Sequence, residues 1–316
     1  MCMNLKLSIL VPSFNDKAYV KECISSLLNN NRKNFEVIVS DDCSDEETLS
    51  ILDSIKDDRL VLVKSPIRLG ASDNWKKCLS LAKGEWIHFL ASDDYYTAGT
   101  VESILDNLSD KKSIYLIKHL CFADESKKIF EVQCSKEKIN KIFNPVRKTN
   151  WSNLLKFSNH DELVLCIFPR TKIDILSRIT KYSTHSSFMY WVYAIFYSMN
   201  ISFIEEGSVM KRYHHKIKRV KGGDLGNKPN ALGIRTRGFY GDFYNSIILP
   251  FYYRDISMMF KLMIHNRYHS THKGGFYGYI FRKKYYFYPG ALINLILSPV
   301  LILARKLNLH KKLRKK

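Results

Sequence analysis

Residues 7–42 read LSILVPSFNDKAYVKECISSLLNNNRKNFEVIVSDD, and the order of apolar residues in this stretch decides the fold. Residues 7–11 are a short apolar, β-rich run closed by Pro12, and residues 35–39 are a second run of the same kind. Between them, residues 17–28 carry apolar side chains at helical spacing. The stretch therefore predicts a strand, a helix and a second strand.

The same alternation continues to residue 90. Ser44 or Asp45 caps a helix that runs to about residue 55, residues 60–63 form a third strand, Asp73 begins a third helix, and residues 85–90 form a fourth strand. Parallel strands need a crossover connection, which packs on the face of the sheet. The predicted fold class is therefore α/β, with a doubly wound and mostly parallel sheet.

After about residue 107 the pattern is less regular. We predict strands near residues 113–119, 129–134, 163–168, 201–204 and 209–213, and helices near residues 151–157 and 186–199. The composition of residues 221–230 (KGGDLGNKPN) predicts a loop, which is either an ordinary linker or a substrate lid.

The chain has 316 residues and a formal net charge of +20 at pH 7, which predicts attraction to nucleic acid, anionic lipid or diphosphates. From residue 251 to the end, 14 Lys and Arg accompany one acidic residue, Asp255, so most of the excess charge belongs to the tail. The seven cysteines are odd in number and include no CxxC pair, which argues against a disulfide framework or a zinc site and fits a reducing cytoplasm.

The C-terminal segment combines an apolar stretch with a basic end. Residues 291–304 are mostly apolar and include Pro299, but they are fewer than the roughly 20 residues of a spanning helix. The basic residues 305–316 follow at once. This order favours a segment lying in the interface of an anionic leaflet over a core helix with a solvated tail.

Two acidic clusters carry the strongest chemical signal. Asp41 and Asp42 follow the second predicted strand, and Asp93 and Asp94 follow the fourth. Ligands of a doubly wound sheet bind at the carboxyl ends of strands, so the two clusters can face one cleft. Adjacent carboxylates are costly unless a cation neutralises them, and Mg²⁺ or Mn²⁺ with substrate phosphates is the usual occupant. The pattern predicts a metal and nucleotide site, whereas either cluster alone is more often a turn or a helix cap.

Four motifs in register resemble glycosyltransferase family 2. They are residues 11–15 (VPSFN), 41–45 (DDCSD), 68–70 (RLG) with Asn74, and 84–87 (GEWI) leading into 92–94 (SDD). The resemblance covers about the first 100 residues and implies the GT-A fold, a Rossmann-like mixed sheet. Residues 170–172 and 184–185, with the aromatic helix after them, more faintly resemble the abequosyltransferase-like branch that builds O-antigen side chains.

The resemblance also implies roles for individual residues of the donor site. Pro12 and Phe14 line the pocket for the base and ribose, Asp42 accepts a hydrogen bond from the base, Asp93 lies against the ribose and diphosphate, and Asp94 coordinates the metal. Gly70 lets the backbone approach the nucleotide, and Asn74 opens the next helix close by. Arg68 stands where the family often has Asn and is expected to contact the donor.

Two further parts of the site lie later in the chain. The family often has an Arg-x-His element near residue 212, which implies that Arg212 and His214 meet the diphosphate or the metal; the alternative is a solvated basic loop. Inverting members usually place an acidic pair before an aromatic helix, but residues 184–191 (THSSFMYW) contain no carboxylate. His185 is therefore a candidate for the catalytic base, and Asp161 and Glu162 are alternatives.

These observations predict a GT-A domain over residues 1–235, with a nucleotide-sugar half (1–110) and an acceptor half (111–235). Residues 236–316 are expected to form a helical, basic, membrane-facing extension. The expected function is Mn²⁺- or Mg²⁺-dependent transfer of a sugar from a nucleoside diphosphate sugar to a lipid-linked saccharide. It would serve bacterial O-antigen or capsule synthesis at the cytoplasmic face of the membrane.

Three other functions compete with this one. An inactive family member that only binds nucleotide sugars is compatible with the missing carboxylate. A nucleic-acid partner is disfavoured because the positive charge lies in a terminal block without an RNP, KH, zinc-finger or helix-turn-helix signature. A nucleotidyltransferase is disfavoured because no glycine-rich, lysine-bearing phosphate loop follows the first strand.

Overall fold

Strand β1 (Leu7–Ser13) lies at the centre of a parallel sheet in the computed structural model, which describes residues 5–124, 126–143, 166–175, 195 and 199–213. The chain continues through α1 (Val20–Leu28), β2 (Phe35–Asp41), α2 (Glu46–Ser54), β3 (Leu60–Lys64), α3 (Ala71–Leu81) and β4 (Trp86–Phe89). Strands β2 and β4 flank β1, and β3 pairs with β2, all in parallel. The predicted alternation is confirmed.

The second half turns the sheet into a mixed one. It contains β5 (Tyr95–Tyr96), α4 (Thr100–Asn107), β6 (Ser113–Ala123), β7 (Ile129–Cys134), α5 (Lys136–Phe143), β8 (Cys166–Pro169) and β9 (Asn200–Tyr213). Among the described residues the strand order is β3-β2-β1-β4-β8-β6-β9-β5, with β7 also paired to β6. Strand β8 is antiparallel to both β4 and β6, whereas β6 and β9 are parallel.

Apolar side chains cover both faces of the sheet. Helix α1 contributes Val20, Ile24 and Leu27 to one core, where α2 and α4 also pack. On the other face, α3 contributes Cys78 and Leu79. Each large apolar side chain fully buried in this way stabilises the fold by about 1.5–3 kcal/mol. Covering both faces is what makes the parallel strands stable as near-continuous apolar runs.

Some element boundaries differ from the predicted ones. Helix α3 begins at Ala71 instead of Asp73, because Gly70 adopts a φ of 84° and serves as its N-cap residue. The choice between Ser44 and Asp45 is settled for α2, since the Asp45 carboxylate accepts a hydrogen bond from Thr48 N–H at 2.9 Å. Helices α4 and α5 were not predicted.

The two strands predicted near residues 201–204 and 209–213 are one strand, β9. Gly207 lies inside it with a φ of 81°, and a Cβ at this position would meet Thr100 at the start of α4. The register with β6 shifts between Ile117 and His119 at the same place. The glycine therefore marks an irregularity within a strand and not a turn between two strands.

The remaining expectations lie wholly or mostly outside the described residues. They are the helices near residues 151–157 and 186–199, the loop 221–230, the membrane-facing extension 236–316 and the domain limit at residue 235. Within the part of the chain that the structure describes, no helix is both long and apolar enough to cross a membrane.

Candidate active site

The carboxyl ends of β1, β2 and β4 hold both acidic clusters at one edge of the sheet. Asp41 ends β2 beside Ser13, the last residue of β1, and the N–H of Asp42 donates to the Ser13 carbonyl at 2.9 Å. Asp93 and Asp94 follow β4 on the other side of β1. The predicted placement of the clusters at the ends of these parallel strands is confirmed.

Asp42 organises the turn that carries Arg68 and Gly70. Its carboxylate is buried and accepts hydrogen bonds from the backbone N–H groups of Leu69 at 2.5 Å and Gly70 at 2.9 Å. Asp41 instead accepts from the backbone N–H of Ser44 at 3.0 Å and from the Ser44 hydroxyl. The two neighbouring carboxylates thus brace two different loops at the same edge.

Phe14 and Arg68 meet across the same edge. The guanidinium carbon of Arg68 lies 3.8 Å from the centroid of the Phe14 ring, and both side chains are half-buried. The Arg68 Nε is buried and has no hydrogen-bond partner. Pro12 is a residue of β1 and lies two positions before Phe14. The pairing of β1 with β4 ends at Leu10, so the N–H that Pro12 lacks is not needed for a hydrogen bond to β4.

Two more buried polar atoms lack partners nearby. Asn74 uses its Nδ2 to donate to the Ser40 carbonyl at 2.9 Å and to the Ser13 carbonyl at 3.4 Å, while its Oδ1 is unpaired. The hydroxyl oxygen of Ser13 is also buried and unpaired. A buried polar atom of this kind costs about 1–3 kcal/mol until a ligand or water satisfies it.

The second cluster contains one buried carboxylate. Asp94 is 3% exposed, and its Oδ1 accepts a hydrogen bond of 2.8 Å from the backbone N–H of Arg212. Burial raises the pKa of Asp94 well above its usual range, and the charge of Asp93 raises it further. Asp93 is half-buried, and its carbonyl accepts from the Nε of Arg212 at 2.8 Å.

The Arg212 guanidinium is enclosed by protein groups. It forms ion pairs with Glu22 and Asp124 and lies 4.4 Å from the centroid of the Tyr19 ring, with its side chain 1% exposed. The hydrogen bond from the Tyr19 hydroxyl lowers the pKa of Asp124 to about 2, and the hydrogen bond from Arg212 acts in the same direction with a smaller effect. Arg212 thereby fixes the Asp93–Asp94 turn, whereas its predicted contact with a diphosphate stays a prediction.

The roles of other candidate residues also stay predictions. His185, Asp161, Glu162 and His214 lie outside the described residues. Among the described residues, no three His, Cys, Asp or Glu side chains cluster closely enough to hold a metal ion by themselves. One or two carboxylates together with phosphate oxygens are a common ligand set of Mg²⁺, and the metal role of Asp94 stays a prediction.

Sequence reasoning missed the residues that surround Arg212. Tyr19 comes just before α1, Glu22 lies within α1, and Asp124 lies in the turn after β6. No local pattern marks them, since Asp124 and Glu22 lie 88 and 190 residues from Arg212 in the chain and Tyr19 lies further still. The positions of the two acidic clusters after predicted strands correctly indicated the edge of the sheet, but they gave no sign of the side chains that surround Arg212.

A solved structure shares this fold. TarS of S. aureus in complex with UDP-GlcNAc superposes with a TM-score of 0.58 over 83% of this chain and 72% of that chain, at 16% identity. The likeness shows the fold alone: a mixed α/β sheet of the GT-A type found in glycosyltransferases.

The sequence profile described as Glycosyl transferase family 2 matches residues 8–166, just over half of the chain. The chain belongs to glycosyl transferase family 2, as its motifs predicted.

Two relatives show how far the sequence similarity extends. The UDP-Glc:alpha-D-GlcNAc-diphosphoundecaprenol beta-1,3-glucosyltransferase WfaP of Escherichia coli is 31% identical over 109 residues, 34% of this chain and 43% of the relative. The GalNAc(5)-diNAcBac-PP-undecaprenol beta-1,3-glucosyltransferase of Campylobacter jejuni is 32% identical over 108 residues, 33% of this chain and 35% of the relative. The chain therefore spans less than half the length of these curated relatives.

Proposed function

We propose that this chain transfers a sugar from a nucleoside diphosphate sugar to a saccharide acceptor. The observation that carries the proposal is the gathering of three buried, unpaired polar atoms at the edge that holds both acidic clusters: Ser13 Oγ, Arg68 Nε and Asn74 Oδ1. An apolar ligand would leave them unsatisfied. A nucleotide supplies base edges, ribose hydroxyls and phosphates that can pair with such atoms.

In this proposal the base lies by Pro12 and Phe14 and donates a hydrogen bond to Asp42. Each Asp42 oxygen already accepts one backbone N–H, and a carboxylate oxygen can accept a second hydrogen bond. Gly70 lies beside this carboxylate, and because it has no side chain the backbone can approach the nucleotide there. Because TarS is described in complex with UDP-GlcNAc, uridine diphosphate is the first nucleotide to test.

Asp93 and Asp94 are proposed to face the diphosphate, with Asp94 as the ligand of Mn²⁺ or Mg²⁺ and His214 as a further ligand from the family resemblance. The buried Asp94 carboxylate is unfavourable as an anion in the free protein, so a cation at this position would stabilise its ionised form. When bound, such an ion neutralises the charge that develops on the departing diphosphate. Arg212 holds the turn that presents the two carboxylates.

The reaction itself is a substitution at the anomeric carbon. The acceptor hydroxyl oxygen forms a bond to this carbon as the bond between the carbon and the diphosphate oxygen breaks, and the diphosphate leaves with that electron pair. A general base removes the hydroxyl proton. His185, Asp161 and Glu162 are the proposed candidates for this base.

We further propose a lipid-linked saccharide as acceptor, in bacterial surface polysaccharide synthesis. The names of the two relatives describe undecaprenol-linked acceptors, and the basic residues 305–316 would hold this chain at an anionic leaflet. Full-length protein should float with vesicles that contain phosphatidylglycerol but not with neutral vesicles. Replacing Lys311, Lys312 and Lys315 by Gln should weaken flotation, and unchanged flotation would exclude the tail as the anchor.

Thermal unfolding with nucleotides tests the donor site. Uridine, guanosine, cytidine and thymidine diphosphates are added singly, with and without Mn²⁺, to wild-type protein and to Asp94→Asn. A ligand at about a hundred times its dissociation constant adds roughly 2.7 kcal/mol to the free energy of unfolding. One nucleotide should stabilise the wild type in a metal-dependent way and the variant much less.

Asp73→Asn is the matched control for the loss of one negative charge, because Asp73 is an exposed residue of α3 paired with Lys76. It should respond to the nucleotide as the wild type does. If no nucleotide changes the midpoint of the wild-type protein, the proposed donor site is wrong.

A further inference from the structure

Two exposed aromatic rings contact each other on the surface next to the candidate active site. Phe130 of β7 and Tyr213, the last residue of β9, have ring centroids 5.5 Å apart at an interplanar angle of 81°. They are 53% and 55% exposed. Single exposed apolar residues are common, but an edge-to-face aromatic pair presents a fixed apolar surface to the solvent.

The position of Tyr213 connects this pair to the second acidic cluster. Side chains two residues apart in a strand share a face, so Tyr213 lies on the same face of β9 as Lys211, about 7 Å further along. Tyr95, the residue after Asp94, pairs with Met210 of the same strand, so this end of β9 runs beside the second acidic cluster. Arg212, the residue before Tyr213, bonds to both Asp93 and Asp94.

The turn between β6 and β7 holds the aromatic pair in place. The backbone N–H of Asp124 donates to the Tyr213 carbonyl at 3.3 Å, and the Asp124 carboxylate pairs with Arg212. The Tyr19 hydroxyl also donates to Asp124, at 2.8 Å. The same ion-pair network thus supports the Asp93–Asp94 turn and the strand ends that carry the rings.

The chemistry of the rings selects the class of ligand. One face of a pyranose carries several C–H bonds, which pack against the negative face of an aromatic ring as the edge of another ring does. Two rings held at nearly a right angle offer a face to the sugar and an edge to its side. A rigid aromatic pair also binds at low cost in side-chain entropy.

We propose that Phe130 and Tyr213 form a platform on which the saccharide acceptor stacks while its hydroxyl faces the donor held by Asp93 and Asp94. This inference rests on the proposed function, since the acceptor is the substrate that must approach this edge from outside the nucleotide pocket. The platform would bind sugar rings and not the lipid to which they are attached.

Binding of soluble acceptor analogues tests the platform without turnover. The probes are glucose, galactose, N-acetylglucosamine and N-acetylgalactosamine, each joined through a diphosphate to a short alkyl chain, and the same alkyl diphosphate without sugar. Full-length Phe130→Leu and Tyr213→Leu keep apolar bulk but lose a ring. Each should bind the preferred sugar probe on the order of ten-fold more weakly than the wild type does.

Two controls separate a lost ring from a damaged protein. Tyr213→Phe keeps the ring and should bind that probe nearly as the wild type does. Ile129→Ala removes an exposed apolar side chain, 46% exposed, from the same strand and should leave sugar binding unchanged. All variants should keep the wild-type response to the nucleoside diphosphate that stabilises the wild-type protein, because that response reports only on the donor site.

Three results would overturn the platform: unchanged affinity in both leucine variants, an equal loss for the sugar-free alkyl diphosphate, or no binding of any sugar probe by the wild type. The second result would identify the pair as a contact for lipid. If the proposed function itself is wrong, the wild-type protein will respond to none of the nucleotides, and this result is distinct from the three above.

Discussion

The backbone N–H of Arg212 donates a hydrogen bond of 2.8 Å to Oδ1 of Asp94, a residue 118 positions earlier in the chain. The side chain of the same arginine donates to the carbonyl of Asp93 and pairs with Glu22 and Asp124. The geometry of the second acidic cluster therefore depends on β9, the last strand that the structure describes. Arg212 is a positioning residue for this cluster.

Replacing Arg212 by Met should destabilise the protein strongly. The change leaves Asp124 and Glu22 without their cation, and removing one partner of a buried ion pair costs about 3–5 kcal/mol. Glu22 is half exposed, so the loss should fall near the lower limit. Urea unfolding measures the difference in free energy of unfolding.

Arg32→Met is the control for that measurement, because Arg32 pairs with Asp106 on the surface with both side chains more than 40% exposed. It should cost less than about 1 kcal/mol. Equal losses in the two variants would show that the Arg212 network adds nothing beyond a surface pair.

Asp42→Asn should loosen the turn at residues 68–70 and weaken nucleotide binding. The amide retains one acceptor oxygen, but its NH₂ group would face a backbone N–H that the carboxylate now satisfies. An unsatisfied buried N–H costs about 1–3 kcal/mol. Thermal unfolding with and without uridine diphosphate measures both effects; a variant with wild-type stability and wild-type affinity would contradict the prediction.

The pair of Asp57 and Arg59 should make stability fall in acid. The hydrogen bonds from Arg59 lower the pKa of Asp57 to about 2, below the usual unfolded value of about 3.9. The stabilisation is therefore complete above about pH 4 and is lost as the pH falls toward 2. At neutral pH it amounts to about 2 kcal/mol.

Comparing wild-type protein with Asp57→Asn between pH 6 and pH 2.5 isolates this contribution. The difference in free energy of unfolding should be largest at pH 6 and shrink with acid. Asp58→Asn removes the neighbouring exposed carboxylate as a control. A difference that stays constant with pH would refute the assignment.

Gly84→Ala should be far more damaging than Gly99→Ala. A Cβ at Gly84 would lie 2.5 Å from the backbone carbon of Leu7 and 2.5 Å from the nitrogen of Ser8, so β1 itself would have to move. Overpacking of this kind costs about 1–3 kcal/mol or more. At Gly99 the φ of 78° strains an alanine by about 1–2 kcal/mol, but the Cβ meets nothing within 4 Å. Thermal unfolding of both variants gives the ranking, and the reverse order would contradict it.

Local patterns were sufficient for the parallel half of the sheet. The short apolar, β-rich runs at 7–11 and 35–39 and the helical spacing between them depend only on neighbours in sequence, and the structure forms β1, α1 and β2 there. The GEWI and SDD motifs likewise located the second acidic cluster. Helix α4 was missed because it begins after the left-handed Gly99, which reads as a loop signal.

The sequence by itself determined the strand and helix order up to residue 90, the acidic clusters at the strand ends and the family, because each depends on short-range periodicity or on motif spacing. Only the tertiary structure decided that β9 is a single strand, that Arg212 holds Asp94, Glu22 and Asp124, and that Phe130 meets Tyr213. These contacts join residues 83 to 190 positions apart, and they form only after the sheet has brought those positions together. Their partners are chosen by packing and charge in space, which no local pattern in the chain records.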